Sequence, residues 1–211
     1  NGFTLAEMAI VLVIIGLLIG AILKGQEFIN TAKATRTIKD VQTIEAAVNG
    51  FQEKYGQYPG DISSATTQIP NCTGANSCQN GDGNGVIAAP DNFTDIYTWQ
   101  SVLGTAVPAM ESHQLWKHLA LAEMITGIDP TADPAVRRAW GVTEPTSFVG
   151  GGFELYYDAA STIGRGTHFL RLSGNGINAG PWVGAMTPDL AAIIDRKMDD
   201  GQPNSGSIVA N

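Results

Sequence analysis

A single carboxylate, Glu7, sits at the head of a run of apolar side chains. From Met8 to Leu23 no charged or polar side chain occurs, and Phe3, Leu5 and Ala6 extend the run, interrupted only by Thr4 and Glu7. A carboxylate held in such surroundings is costly, roughly 2.5–3.5 kcal/mol near the centre of a bilayer, so Glu7 calls for a partner. The plainer alternative is that it lies near the membrane surface and reaches water.

A second group of oxygen donors stands at 80–91. Asn80, Asp82 and Asn84 fall at places one, three and five of a calcium loop of the EF-hand kind. Gly85 falls at six, Ile87 at eight and Asp91 at twelve. Alternating oxygens about a tight glycine turn suit a hard cation, so Asn80, Asp82, Asn84 and Asp91 form a candidate calcium site, of affinity no better than about 10⁻⁴ M. Asp91 replaces the longer glutamate, Pro90 is unusual there, and no flanking helices are evident. The same residues also read as an ordinary Asn-Gly-rich turn.

Cys72 and Cys78 are the two cysteines. A zinc site needs four ligands, and none of His113, His118 and His168 is near them in sequence. A disulfide closing a short loop, contributing about 2–3 kcal/mol, is the favoured reading for an exported domain. Asp199 and Asp200 are either a cation site or a solvated helix end, the second being the safer reading. Catalytic patterns are absent. His113 and His118 are five residues apart, about 140° around a helix, and form no HExxH pair. Neither G-x-S-x-G nor a Walker A loop occurs, and Gly174, Gly176 and Gly180 miss a G-x-G-x-x-G by one residue. No enzyme activity is expected.

The elements that would position these residues follow from periodicity and punctuation. The apolar run predicts a helix from about Phe3, roughly 30 Å of which matches the hydrocarbon thickness of a bilayer. Beyond Lys24 it turns amphipathic: Val41, Ile44, Val48, Phe51 and Tyr55 recur every three or four residues, with Lys39, Asp40, Glu45, Asn49 and Gln52 opposite. The helix is expected to end at Lys54, before Gly56, with this face against a globular domain. Residues 61–95 read as a long loop. A second helix is predicted from about Met110 to Ile125, with Leu115, Leu119 and Ala122 inward, Trp116 in the core and Gly127 as its stop. Phe153–Tyr157 and Thr167–Ser173 read as an antiparallel hairpin, with Gly164 and Gly166 in the connection. Thr187 as cap, Pro188 in the first turn and Gly201 beyond the end frame a last helix, and Ser207–Ala210 would add a short strand. No internal repeat is present.

The chain has 211 residues and a formal net charge of −8, with 12 Lys or Arg and no basic stripe, which argues against a nucleic-acid site. It divides into an N-terminal helix of membrane-spanning length, 1–54, amphipathic from about 24, and a globular domain, 55–211. The fold class is α+β: a long helix packed on an antiparallel sheet with additional helices.

Gly2, Phe3, Thr4, Leu5, Ala6 and Glu7, followed by the apolar run, closely resemble the prepilin signature of type IV pilins and type II secretion pseudopilins. The match covers residues 2 to about 30 strictly, and the helix to Lys54 more loosely. The resemblance implies that a prepilin peptidase cuts after Gly2 and methylates Phe3. It also implies that Glu7 meets the N-terminal amine of a neighbouring subunit's Phe3 in the filament. Two departures stand out. The sequence starts at Asn1, two residues before the expected mature end, and no proline precedes Pro59. Gly16, Gly20 and Gly25 are the weak points of the helix instead, each costing roughly 1 kcal/mol relative to Ala. Gly16 and Gly20 form a GxxxG pair suited to close helix contact.

What the resemblance implies is a structural subunit of a type IV pilus-like filament, held in the inner membrane of a bacterium and then assembled outside the cell as a helical homo-oligomer. Its partners are the prepilin peptidase and the assembly machinery. The alternatives are a type II secretion pseudopilin or minor pilin and, from another class, a membrane-tethered binding protein. The roughly 155 residues after Gly56 offer more surface than a minimal pseudopilin requires. Calcium is the one cofactor with a candidate site.

Overall fold

Between Leu5 and Tyr55 the chain has no proline, and its glycines stand singly among residues that favour helix. The computed structural model describes residues 2, 4–87, 111–133, 139–158, 166–174 and 184–209. It shows one continuous helix, α1, over Leu5–Tyr55, 51 residues, or about 75 Å at the usual rise. Gly56 stops it in the left-handed region (φ 77°), its amide donating to the Gln52 carbonyl at 2.8 Å. The predicted end at Lys54 lies one residue short, and Phe3 falls outside the described residues.

The chain forms two compact units, Lys39–Met186 and Asn1–Ile38 with Thr187–Asn211, so α1 contributes to both. This differs from the expected boundary between 54 and 55: the C-terminal segment groups with the first part of α1, not with the head.

In the unit Lys39–Met186 the last turns of α1 present the face their periodicity predicts. Ile44, Val48 and Phe51 are buried, with Val41 and Tyr55 packed at their margin. Ile62, Ala65, Ile69, Ile87, Leu115, Trp116, Leu119, Phe153 and Leu155 complete the core. The described part of the expected loop 61–95 is more structured than its composition predicts. It holds a short helix α2, Ala65–Gln68, and a 3-10 turn at Gly74–Asn76. Its apolar residues Ile62, Ala65, Ile69 and Ile87 are drawn into the core, which fixes a segment that looks polar on average.

Helix α3 spans Glu111–Leu121, ending four residues before the predicted Ile125. Met124 N–H donates to the Leu119 carbonyl at 2.9 Å and Glu123 N–H to that of Ala120 at 3.0 Å, with Glu123 at φ 60°. That is a Schellman stop built on a glutamate, and it turns Met124, Ile125 and Ile128 onto the core. Gly127 belongs to the following turn. Helix α3 lies against β1, Gly152–Asp158, which pairs antiparallel with β2, Thr167–Ser173. Phe153 and Leu155 alternate inward from β1, and buried Glu154 forms an ion pair with Arg171 directly opposite on β2.

Cys72 and Cys78 form a disulfide, with Cα atoms 5.1 Å apart. Both are buried within the core, at 2% and 1% exposure, so the bridge is no peripheral clasp. Replacing both with Ser therefore removes the loop constraint and places hydroxyls among apolar side chains. We expect chemical denaturation of the double variant to show a loss of about 2–4 kcal/mol. A midpoint equal to that of the oxidised parent would refute this.

In the other unit α4 spans Pro188–Met198. Thr187 is extended at the cap position, as predicted, but its hydroxyl makes no capping bond; its carbonyl accepts from Ala191 N–H at 3.1 Å. Leu190 and Ile194 are buried, and Lys197 Nζ donates to Thr35 Oγ1 at 3.0 Å. Ser207–Val209 forms no strand. The amides of Ser207 and Ile208 both donate to Asp199 Oδ2, the latter at 2.9 Å, which takes them out of reach of a ladder.

Candidate functional site

The start of α1 is built by Thr4 and Glu7. Thr4 N–H and Oγ1–H each donate to Glu7 Oε2 at 2.8 Å, and Glu7 N–H returns to Thr4 Oγ1 at 3.3 Å. This is a reciprocal capping box, Thr-x-x-Glu, which satisfies donors that a helix N-terminus otherwise leaves bare. The spacing was legible in the sequence, yet Glu7 there draws attention as a carboxylate among apolar residues and as part of the prepilin-like signature, not as half of a cap. Its local partner is Thr4, three residues back. Gly2 precedes this cap in an exposed position, and a Cβ there would meet nothing within 4 Å.

Downstream of the cap, the apolar run is bare. Leu5 is 92% exposed, and twelve further large apolar side chains between Met8 and Leu23 are all at least 46% exposed. The helix is long and apolar enough to cross a membrane, and none of its most apolar stretch is buried by the chain itself. Added Cβ atoms at Gly16, Gly20 and Gly25 would meet nothing within 4 Å. These glycines therefore relieve no crowding inside the subunit.

The 80–91 loop places its predicted ligands differently from a ring around one ion. Asn80 Oδ1 accepts from Thr66 N–H at 2.9 Å and from Thr66 Oγ1–H at 3.1 Å. Asn84 N–H donates to Asp82 Oδ1 at 2.9 Å and Asn84 Nδ2 to Asp82 Oδ2 at 2.8 Å, while Asn84 Oδ1 accepts from Val86 N–H at 2.7 Å. Asp91 lies outside the described residues. Among the described members, Asp82 joins a carboxylate cluster, and its companions are Asp61 and Glu111, which spacing along the chain does not single out.

Backbone approach makes that cluster. Gly60, at φ 91°, packs where a side chain would strike the Glu111 carbonyl, and Gly81 packs where one would strike the backbone of Gly60 and Asp61. Gly81 N–H donates to the Ile62 carbonyl at 2.9 Å and Gly83 N–H to the Asp61 carbonyl at 2.8 Å. Glu111 Oε1 accepts Asp82 N–H at 2.9 Å and Asp61 Oδ2 accepts Gly85 N–H at 3.0 Å.

Two histidines hold the same segment. His118 is fully buried; its Nδ1 accepts Gly60 N–H at 2.9 Å, so Nε2 carries the proton and donates to the Gln79 carbonyl, also at 2.9 Å. Burial drives its pKa down to about 4. His168 Nε2 accepts Ile87 N–H at 3.0 Å, its ring 4.9 Å from Tyr58 and 5.3 Å from Tyr157, and burial lowers its pKa as well. His118 also lies near Cys72 and Cys78, but the two sulfurs are bonded to each other and both ring nitrogens are engaged. That trio offers no zinc site. At the end of α4, Asp195, Asp199 and Asp200 approach one another, and each accepts backbone N–H donors nearby. That pattern fits a capped helix end.

No protein-family model, curated protein or solved structure matches this chain.

Proposed function

We propose that this chain is a structural subunit, a pilin, of a type IV pilus-like extracellular filament. The observation that carries the reading is the bare apolar face of α1, thirteen large side chains from Leu5 to Leu23, headed by Gly2, Phe3 and Glu7. Covering that surface is worth on the order of 20 kcal/mol or more, at about 1.5–3 kcal/mol for each side chain. Lipid covers it before assembly, and the equivalent helices of other copies cover it in the filament. Exchanging one apolar environment for another lets so hydrophobic a segment leave the bilayer. Open glycines at 16, 20 and 25 allow the helices to approach closely once packed. A membrane tether for a binding protein needs the length of this helix but neither the Gly2–Phe3 junction nor Glu7.

In this reading prepilin peptidase cleaves after Gly2, Phe3 becomes the methylated N-terminus, and assembly machinery in the inner membrane extracts the subunit. Mass spectrometry of material sheared from cells is expected to find a chain beginning at N-methylated Phe3, within filaments visible by electron microscopy. Mature chains that retain Asn1, or processed chains that stay in membranes under every condition with no filament, would overturn the proposal. Filaments that appear only when the chain is overproduced alongside a type II secretion system would move the assignment to a pseudopilin.

A further inference from the structure

Asp61 is 1% exposed, and its Oδ1 is buried with no hydrogen-bond partner. An ionised carboxylate oxygen enclosed in this way is among the most expensive groups a protein can bury. Its surroundings make matters worse, because they are acceptors. One oxygen from each of Asp61, Asp82 and Glu111 lies within 4.8 Å of the other two. Glu111 is itself 6% exposed. Burial first, and then the neighbouring Asp82 carboxyl, raise the Asp61 pKa above its usual value. Among the described residues no Lys or Arg ion pair with Asp61 or Asp82 occurs.

We propose that Asp61, Asp82 and Glu111 together bind one hard divalent cation, calcium by preference, which ties the segment after α1 and the 80–85 loop to the first turn of α3. Three oxygens within 4.8 Å of one another share a centre no more than about 2.8 Å from each, so closing onto calcium at about 2.3–2.6 Å takes movements of only a few tenths of an ångström. Magnesium requires bonds of about 2.0–2.1 Å in a near-ideal octahedron and gives up its water reluctantly. The two buried members supply charge from a rigid wall, Asp61 anchored by Gly85 N–H and Glu111 by Asp82 N–H. Exposed Asp82 supplies the side open to solvent, where water completes the coordination. An ion there offsets the mutual repulsion of the three carboxyl groups and the cost of burying Asp61.

The site differs from a contiguous calcium loop: its ligands come from three separate segments, so binding should depend on the folded head. It is also independent of filament formation, because all three ligands lie within the unit Lys39–Met186. The test uses the full chain purified in detergent, stripped with chelator and titrated with calcium chloride or magnesium chloride by calorimetry, with thermal unfolding in parallel. Calcium is expected to bind one per chain and, at about a hundred times its dissociation constant, to raise the melting temperature by roughly 5–10 °C. Asp61→Asn and Asp82→Ala should both remove the heat and the shift, whereas Asp200→Asn should keep them. Asp82 is exposed, so its variant remains informative if Asp61→Asn folds poorly. No calcium response up to about 10 mM, ten times the weak end of protein sites, would overturn the proposal. So would binding that persists in both variants. A wild-type protein indifferent to calcium but stabilised by Asp61→Asn would show instead that Asp61 and Asp82 share a proton.

Discussion

Glu7→Gln should leave the head fully folded and abolish efficient filament assembly. Glu7 lies far along the chain from the core residues that begin at Val41, and it is exposed in the isolated subunit. In the proposed filament its carboxylate neutralises the amine of a neighbouring Phe3 within a sheath of apolar helices. Removing one partner of a buried charge pair costs roughly 3–5 kcal/mol, because the other charge is left stranded. At about 1.4 kcal/mol per factor of ten, each subunit addition becomes a hundred- to several-thousandfold less favourable. The penalty recurs at every step of growth, so pili counted by electron microscopy should fall to background. Circular dichroism melting of the head should not move.

The capping box decides which substitution is informative. Glu7→Ala removes the charge and also the bonds to Thr4, which together start the helix. Losing such a cap costs about 0.5–2 kcal/mol, so an assembly defect in the Ala variant has two causes. Glutamine at the same place can still accept from Thr4, since a capping box tolerates Glu or Gln there. Thr4→Ala is the converse control: it weakens the cap while keeping the carboxylate. Electrostatic pairing predicts that Glu7→Gln fails and Thr4→Ala largely assembles. Equal failure of both would move the role of Glu7 to helix initiation, and normal filaments from Glu7→Gln would remove it from assembly altogether.

Parts of the fold that depend on local rules were legible in the sequence. Val41, Ile44, Val48, Phe51 and Tyr55 face the core because a helix brings every third or fourth residue to one side, and the pattern carries that directly. The hairpin of β1 and β2 and the bounds of α4 follow from alternation and punctuation in the same way. Features set by distant contacts were not legible. Glu123 stops α3 because the chain must turn Met124 and Ile125 onto the core, and a glutamate advertises no left-handed backbone as Gly127 does. The carboxylate cluster is the clearest case. Asp82 belongs to a loop pattern that points to Asn80, Asn84 and Asp91, yet it meets Asp61 and Glu111 because Gly60 and Gly81 let three backbones converge. Nothing in the spacing from 61 to 82 to 111 encodes that. In the sequence His118 reads as a metal-ligand candidate, beside His113 or the two cysteines, whereas its role is to fasten two backbone groups.

That role predicts a loss of stability in mild acid. His118 accepts a proton at about pH 4 when folded, against an ordinary value near 6.5, because burial penalises the charged ring and Nδ1 is already occupied by Gly60 N–H. Between those values the unfolded chain binds a proton that the folded chain refuses, so stability falls as pH is lowered through this window. His118 contributes fully above about pH 6.5 and has lost its contribution near pH 4, a difference on the order of 3 kcal/mol at 1.36 kcal/mol per unit. His168, which accepts Ile87 N–H, shifts in the same direction. Asp61 acts oppositely while no cation is bound: its raised pKa favours the folded state at low pH, and that favour is lost as pH rises through the folded value. The measurement is therefore a comparison, made in excess chelator, of urea unfolding for the parent and for His118→Gln between about pH 7 and pH 4.5. Glutamine does not titrate, so the variant should be less stable at neutral pH but flatter across the window. Protonation breaks the Gly60 bond first, and amide exchange at Gly60, Gly81 and Ile87 should quicken before the rest of the core opens. Parallel pH profiles for the two proteins would mean that the buried imidazole is not what makes the head acid-sensitive.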